Sequence, residues 1–185
     1  MTITINGSGT IGGLSSGGLP DGSVTAADIE SSLDLSGKTV TLPSGVGGKV
    51  LQVVQSTTTT STTTTSGSYT DTALSASITP SSSSSKILVM VSTNCYANRV
   101  GSNTYGDWYH VLVRGSTELL STRSAVNFGT TSWNDHMSST PLLYLDSPAT
   151  ASSTTYKTQI KTSNASITYP QSGTTSVMTL MEIAG

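Results

Sequence analysis

The longest run of alternating apolar positions lies between Lys86 and Tyr96. Ile87, Val89 and Val91 fall on one face of an extended chain there, and Leu88 and Met90 on the other. Both faces are apolar. A strand in a two-layer sandwich needs only one such face, so the second calls for a further covering layer, from this chain or from another subunit. Two more segments share this double character. In Pro141 to Asp146, Leu143 and Leu145 oppose Leu142 and Tyr144; in Ser176 to Ile183, Val177, Met181 and Ile183 oppose Met178 and Leu180. In Thr154 to Thr162, by contrast, Tyr156 and Ile160 alternate with Lys157, Gln159 and Lys161, the pattern of an outer strand with one wet face. Leu88, Met90, Leu142, Tyr144, Met178 and Leu180 form the set expected in an oligomer interface or core. At roughly 1.5 to 3 kcal/mol per side chain, covering them contributes about 10 kcal/mol or more per subunit as an upper bound. A stable homo-oligomer is the expectation.

The same period-2 pattern places strands at Val50 to Gln55, Ala73 to Thr79, Lys86 to Tyr96, Trp108 to Arg114, Thr117 to Arg123, Pro141 to Asp146, Thr154 to Thr162, Ser166 to Tyr169 and Ser176 to Ile183. Between them, the tract from Thr57 to Ser68 is almost pure Ser and Thr, and reads either as an exposed strand or as a loop. Short strands at regular spacing, with no helical period between them, predict an all-β antiparallel sandwich or jelly roll for residues 48–185. Residues 1–47 differ. Glycine recurs so often there that 10 of the 18 glycines fall between Gly7 and Gly47. Ordering such backbone costs on the order of 1 to 2 kcal/mol per residue, which its few apolar side chains do not offset alone. An extended arm held by neighbours is expected, with Ile3, Ile5, Ile11 and Leu14 as anchors and one or two helical turns near Thr25 to Leu33.

Composition agrees with strands. The chain has 34 Ser and 33 Thr among 185 residues but only 18 charged side chains, and Thr with Val, Ile and Tyr is strand chemistry. A net charge of -2 with scattered Lys and Arg argues against a nucleic-acid footprint. The opening residues lack the basic and apolar regions of a signal peptide, so synthesis in a cytoplasm is expected. The single cysteine, Cys95, precludes an intrachain disulfide and sits where a buried thiol is expected.

Catalytic chemistry finds little support. His110 and His136 have no Cys, Glu or second His at metal-ligand spacing, so no metal or cofactor is expected. Asp107 and His110, three apart on a strand, point to opposite faces. Gly7-Ser-Gly-Thr-Ile-Gly12 matches a dinucleotide fingerprint by letter but lacks the helix and parallel sheet that give the motif its function. A non-enzymatic protein is the expectation. Aromatic side chains cluster at Tyr105, Trp108 and Tyr109 and at Phe128 and Trp133, rimmed by Asn, Asp and His. Tyr105, Trp133 and His136 are the candidate residues for sugar or protein contacts on loops of the β domain. Trp108 is expected in the core, whereas Trp133 reads as core or as loop.

Met1-Thr-Ile-Thr-Ile-Asn-Gly-Ser-Gly-Thr-Ile and Gly17-Gly-Leu-Pro-Asp-Gly-Ser-Val-Thr-Ala-Ala-Asp-Ile resemble the N-terminal arm of fibre-like virion proteins of tailed phages, of the cyanophage and marine-phage type. Lys49-Val-Leu-Gln-Val-Val-Gln, the Ile78-Thr-Pro-Ser and Lys86-Ile-Leu-Val pair, and Thr179-Leu-Met-Glu-Ile-Ala resemble the C-terminal β domain of that group. The resemblance implies a homotrimeric jelly-roll head carried by an arm that docks on other virion proteins. The implied role is a short tail fibre of the virion whose head contacts a host-surface glycan or protein, without nucleic-acid binding or membrane insertion. A capsid-attached head fibre or decoration protein is the alternative. A polysaccharide depolymerase is disfavoured by the shortage of convergent carboxylates.

Overall fold

The structure, a computed structural model, describes residues 50–128, 135–139 and 141–185. The expected arm over residues 1–47, with Ile3, Ile5, Ile11 and Leu14, lies outside the described residues, as does Trp133.

Twelve strands are described: β1 (Val50–Thr58), β2 (Thr62–Thr64), β3 (Thr70–Ile78), β4 (Lys86–Ser92), β5 (Asn94–Arg99), β6 (Tyr105–Arg114), β7 (Thr117–Asn127), β8 (Asp135–Ser139), β9 (Leu142–Asp146), β10 (Thr154–Ser163), β11 (Ala165–Tyr169) and β12 (Ser176–Ile183). All pairings are antiparallel, in three four-stranded sheets. Sheet I runs β1-β12-β4-β9, sheet II runs β3-β10-β6-β7 and sheet III runs β2-β11-β5-β8. The protein is therefore all-β and sandwich-like. The expected strand from Lys86 to Tyr96 is interrupted at Thr93, leaving sheet I as β4 and entering sheet III as β5. Likewise β10 leaves sheet II at Asn164, whose φ of +59° turns the chain into β11 of sheet III. Asn tolerates this left-handed backbone better than most residues. Sheet III thus continues one strand from each of the other two.

Sheet II packs on two cores. Its Leu74, Ala76, Ile78, Leu112 and Tyr156 meet Ile87, Val89, Val91, Leu142, Met178 and Leu180 of sheet I. Its Trp108 and Ile160 meet Cys95, Ala97, Ala165, Ile167 and Tyr169 of sheet III, with Phe128 closing the end. Serine and threonine serve as cross-strand pairs, with hydroxyl contacts between Thr72 and Thr158 (2.6 Å), Ser77 and Thr155 (2.7 Å) and Thr63 and Thr168 (2.9 Å). The Ser/Thr tract is accordingly strand in part, extending β1 to Thr58 and supplying β2.

The register divides the six residues expected in an oligomer interface or core. Met178 opposes Val91, Leu180 opposes Val89, and Leu142 opposes Val91, so Met178, Leu180 and Leu142 share the inward face of sheet I with Ile87. Tyr144 opposes Val89 and packs half-buried on the same core. Leu88 and Met90 alone of that group face outward, beside Met181, Leu143 and Leu145. Side-chain parity between strands depends on pairing register, and an odd shift exchanges the two faces.

Two polar clusters tie sheet I to neighbouring segments. Arg114 Nη1 donates to both carboxylate oxygens of Asp146 (2.8 and 2.7 Å), and the buried Tyr156 hydroxyl donates to Asp146 Oδ2 (2.6 Å), joining sheet II to β9. Burial and the adjacent carboxylate push the Tyr156 phenol well above its ordinary pKa, so it stays a donor. Glu182, buried on β12, accepts from Ser81 N (2.7 Å), Ser81 Oγ (2.6 Å) and Gln52 Nε2 (2.6 Å). These bonds, Ser81 foremost, hold its pKa at about 2 against an ordinary 4.5, despite burial pulling the other way. A depressed folded-state pKa contributes stability that is present above the unfolded pKa and is lost as pH falls toward the folded one. The contribution from Glu182 should therefore fade between pH 4.5 and about 2. Glu182→Gln should lower the urea midpoint at pH 7 and flatten the fall in that window. An acid limb unchanged in the variant would assign it to other carboxylates.

Gly106 marks the closest approach in the second core. A Cβ there would lie 2.8 Å from Ala165 Cβ and 2.8 Å from Phe128 Cε2. Gly106→Ala should cost about 2 kcal/mol by overpacking and lower Tm by on the order of 5 °C. An unchanged Tm would mean that Phe128 yields.

Candidate functional site

The outward face of sheet II carries the densest group of aromatic and charged side chains among the described residues. It follows from simple alternation. In β6, Trp108, His110 and Leu112 point into the sandwich and Tyr105, Asp107 and Tyr109 point away. In β10, Tyr156, Thr158, Ile160 and Thr162 are buried, and Lys157, Gln159, Lys161 and Ser163 face out. Register then sets Lys161 opposite Tyr109 on one side, and Arg123 of β7 opposite Tyr109 on the other.

Ion pairs and hydrogen bonds fix these groups. Arg123 Nε donates to Asp107 Oδ2 at 2.8 Å, and its Nη2 donates to the Tyr105 hydroxyl. The Ser163 hydroxyl donates to Asp107 Oδ1. Ser163 first, and Arg123 after it, hold the Asp107 carboxyl below its usual range. Lys157 Nζ and Gln159 Nε2 engage the two oxygens of Asp71 at 2.8 and 2.7 Å, and lower its pKa in that order of effect. Lys161 is held differently. Its Nζ lies 4.2 Å from the Tyr69 ring centroid and 4.8 Å from that of Tyr109.

General acid catalysis near neutrality needs a carboxyl with a raised pKa, whereas Asp71, Asp107 and Glu182 are all lowered. Among the described residues, no group of three or more His, Cys, Asp or Glu could hold a metal ion, and no helix is long and apolar enough to cross a membrane. A second polar surface covers sheet III, where Asn98 donates to the Tyr96 hydroxyl (3.2 Å) and to Asp135 (3.0 Å). A shallow depression of about 250 Å³ beside it is lined by Asn94, Met137, Ser138, Ser139, Gln171 and Thr174.

Of the residues singled out from sequence, Tyr105 lies on the outward face of sheet II, partly exposed. His136 lies opposite Ala97 on β8 with its ring tilted against the buried Trp108, centroids 5.9 Å apart. Tyr105 and His136 are thus on different sides of sheet II and do not form one site. Sequence reasoning missed Tyr69 and the pairing of Lys161 with Tyr109; the wet alternation of Lys157, Gln159 and Lys161 was the available signal. The chain matches no protein-family model and no curated protein sequence.

Proposed function

We propose that the chain is a non-enzymatic virion structural protein of a tailed phage, a short trimeric fibre. In this reading, residues 1–47 dock on the particle and the β head contacts the host surface. One observation carries it: sheet I presents an apolar outer face, with Val50, Val53, Leu143 and Leu145 about half or more exposed beside Leu88, Met90, Met181 and Ile183. Contiguous apolar patches of this kind are uncommon on monomers and mark association surfaces. Copies of the same chain covering that face suit a fibre head, and the trimer itself comes from the resemblance to phage fibres. Strand order supports a jelly roll. Numbering the strands of sheets I and II, β1, β3, β4, β6, β7, β9, β10 and β12, from one to eight gives sheets 1-8-3-6 and 2-7-4-5, the order of one long hairpin rolled into two sheets. The lowered carboxyl pKa values favour a binding role over hydrolysis.

Gold-labelled antibody against the head, imaged on particles produced by the phage, tests the reading. Label at the tail is expected; label confined to the capsid would replace the tail fibre with a decoration protein, and absence from particles would overturn a virion role.

A further inference from the structure

We infer that the Tyr69–Lys161–Tyr109 group on the outward face of sheet II is a binding subsite for the carboxylate of an acidic sugar in a surface polysaccharide. This deepens the host-contact reading above and rests on it for the source of the ligand. The Lys161 ammonium is fixed by two rings, at 4.2 and 4.8 Å, and makes no salt bridge among the described residues. The two carboxylates nearest in register are committed elsewhere: Asp71 to Lys157 and Gln159, Asp107 to Arg123 and Ser163. Glu118 opposes Val113, about 13 Å along β6 from Tyr109. An anion arriving from solvent therefore meets a cation already oriented and without a counter-ion among the described residues.

The surroundings select among anions. Phosphate recognition favours several converging donors, such as an Arg fork or successive backbone N–H groups. Here the nearest guanidinium, Arg123, is already bound to Asp107. One ammonium matches one carboxylate. Aromatic faces carry negative charge density, so they attract the ammonium and equally the polarised C–H groups of a pyranose ring. Tyr105 and Tyr69 are each more than a third exposed, and Tyr105 sits four residues from Tyr109 on the same face, about 13 Å away. That spacing suits a short oligosaccharide lying along β6, with its carboxylate at Lys161 and a unit roughly two or three rings further along on Tyr105.

Titration of the intact protein with oligogalacturonate, alginate oligosaccharides and sialyllactose, followed by NMR of the tyrosine ring signals, tests this. At least one should bind at millimolar concentration, shift the Tyr69 and Tyr109 signals and weaken with added salt. Lys161→Met should reduce its affinity roughly tenfold, and neutral maltotriose should bind at least as weakly as the variant binds the acid. Binding by none of the acidic probes, or undiminished binding to Lys161→Met, would overturn the subsite. Inorganic phosphate binding with equal, Lys161-dependent strength would overturn the sugar assignment. The light-scattering mass and the position of label on particles, read in parallel, report on the virion reading independently of either result.

Discussion

Leu143→Asp combined with Leu145→Asp should convert the proposed oligomer to a monomer while leaving the sandwich folded. Both leucines lie on β9, an edge strand of sheet I, with 66% and 50% of their surface exposed in the single chain. Changes at exposed positions cost a single chain about 0.5 kcal/mol or less each, somewhat more for Asp in a strand. In an assembly the same carboxylates would be stripped of water against Leu88, Met90 and Val53, a cost of several kcal/mol. The apolar gain is modest: four half-exposed side chains at about 1 kcal/mol each on each copy give roughly 8 kcal/mol per contact, against an association cost of about 4 to 15 kcal/mol. Two buried charges are enough to reverse such a balance. Light scattering should show the mass fall to that of one chain while the far-ultraviolet spectrum keeps its β form. Leu180→Asp, on the inward face, should instead abolish folding. An unchanged mass in the double variant would mean that the outer face of sheet I is not the interface.

Which strands form was legible because Val, Ile and Thr alternation is a local property, and Trp108 reads as core from β6 alone. Which face of each strand is buried was legible only where one face is polar, as in β10, whose Lys157, Gln159 and Lys161 can point only outward. In β4, β9 and β12 both faces are apolar, and nothing within one strand says which side meets sheet II; pairing of Leu180 with Val89 decides it. The interruption at Thr93 was hidden for a related reason. A strand that changes sheets keeps its alternation, and only its partners change, from Leu142 and Leu143 of β9 to Met137 and His136 of β8. The Lys161 subsite was half visible. Its cation lay on a recognisable wet face, but Tyr69 belongs to a Ser- and Thr-rich stretch whose place in the fold is set by β3 pairing with β10, over 80 residues away in sequence.

Asp146→Ala should be the most damaging single polar substitution in the head. Asp146 is the only described acceptor that meets both the Arg114 guanidinium, through both of its oxygens, and the fully buried Tyr156 hydroxyl. Removing one partner from a buried charged network costs about 3 to 5 kcal/mol, more than the intact pair contributes, because the remaining groups lose water without regaining a bond. Arg114 is about a quarter exposed and turns partly to solvent, which puts the expected loss near the lower end. A loss of about 3 kcal/mol corresponds to a fall in Tm on the order of 10 °C. Tyr156→Phe removes the donor together with its need for a partner, and should cost only about 1 kcal/mol. In the double variant Asp146→Ala with Arg114→Ala the losses should be less than additive, since the unpaired guanidinium is gone. Urea unfolding of the wild type, Asp146→Ala, Tyr156→Phe, Arg114→Ala and the double variant at pH 7 measures each difference. Equal losses for Asp146→Ala and Tyr156→Phe, with additivity in the double variant, would show that sheet I and sheet II are joined at this end by packing alone.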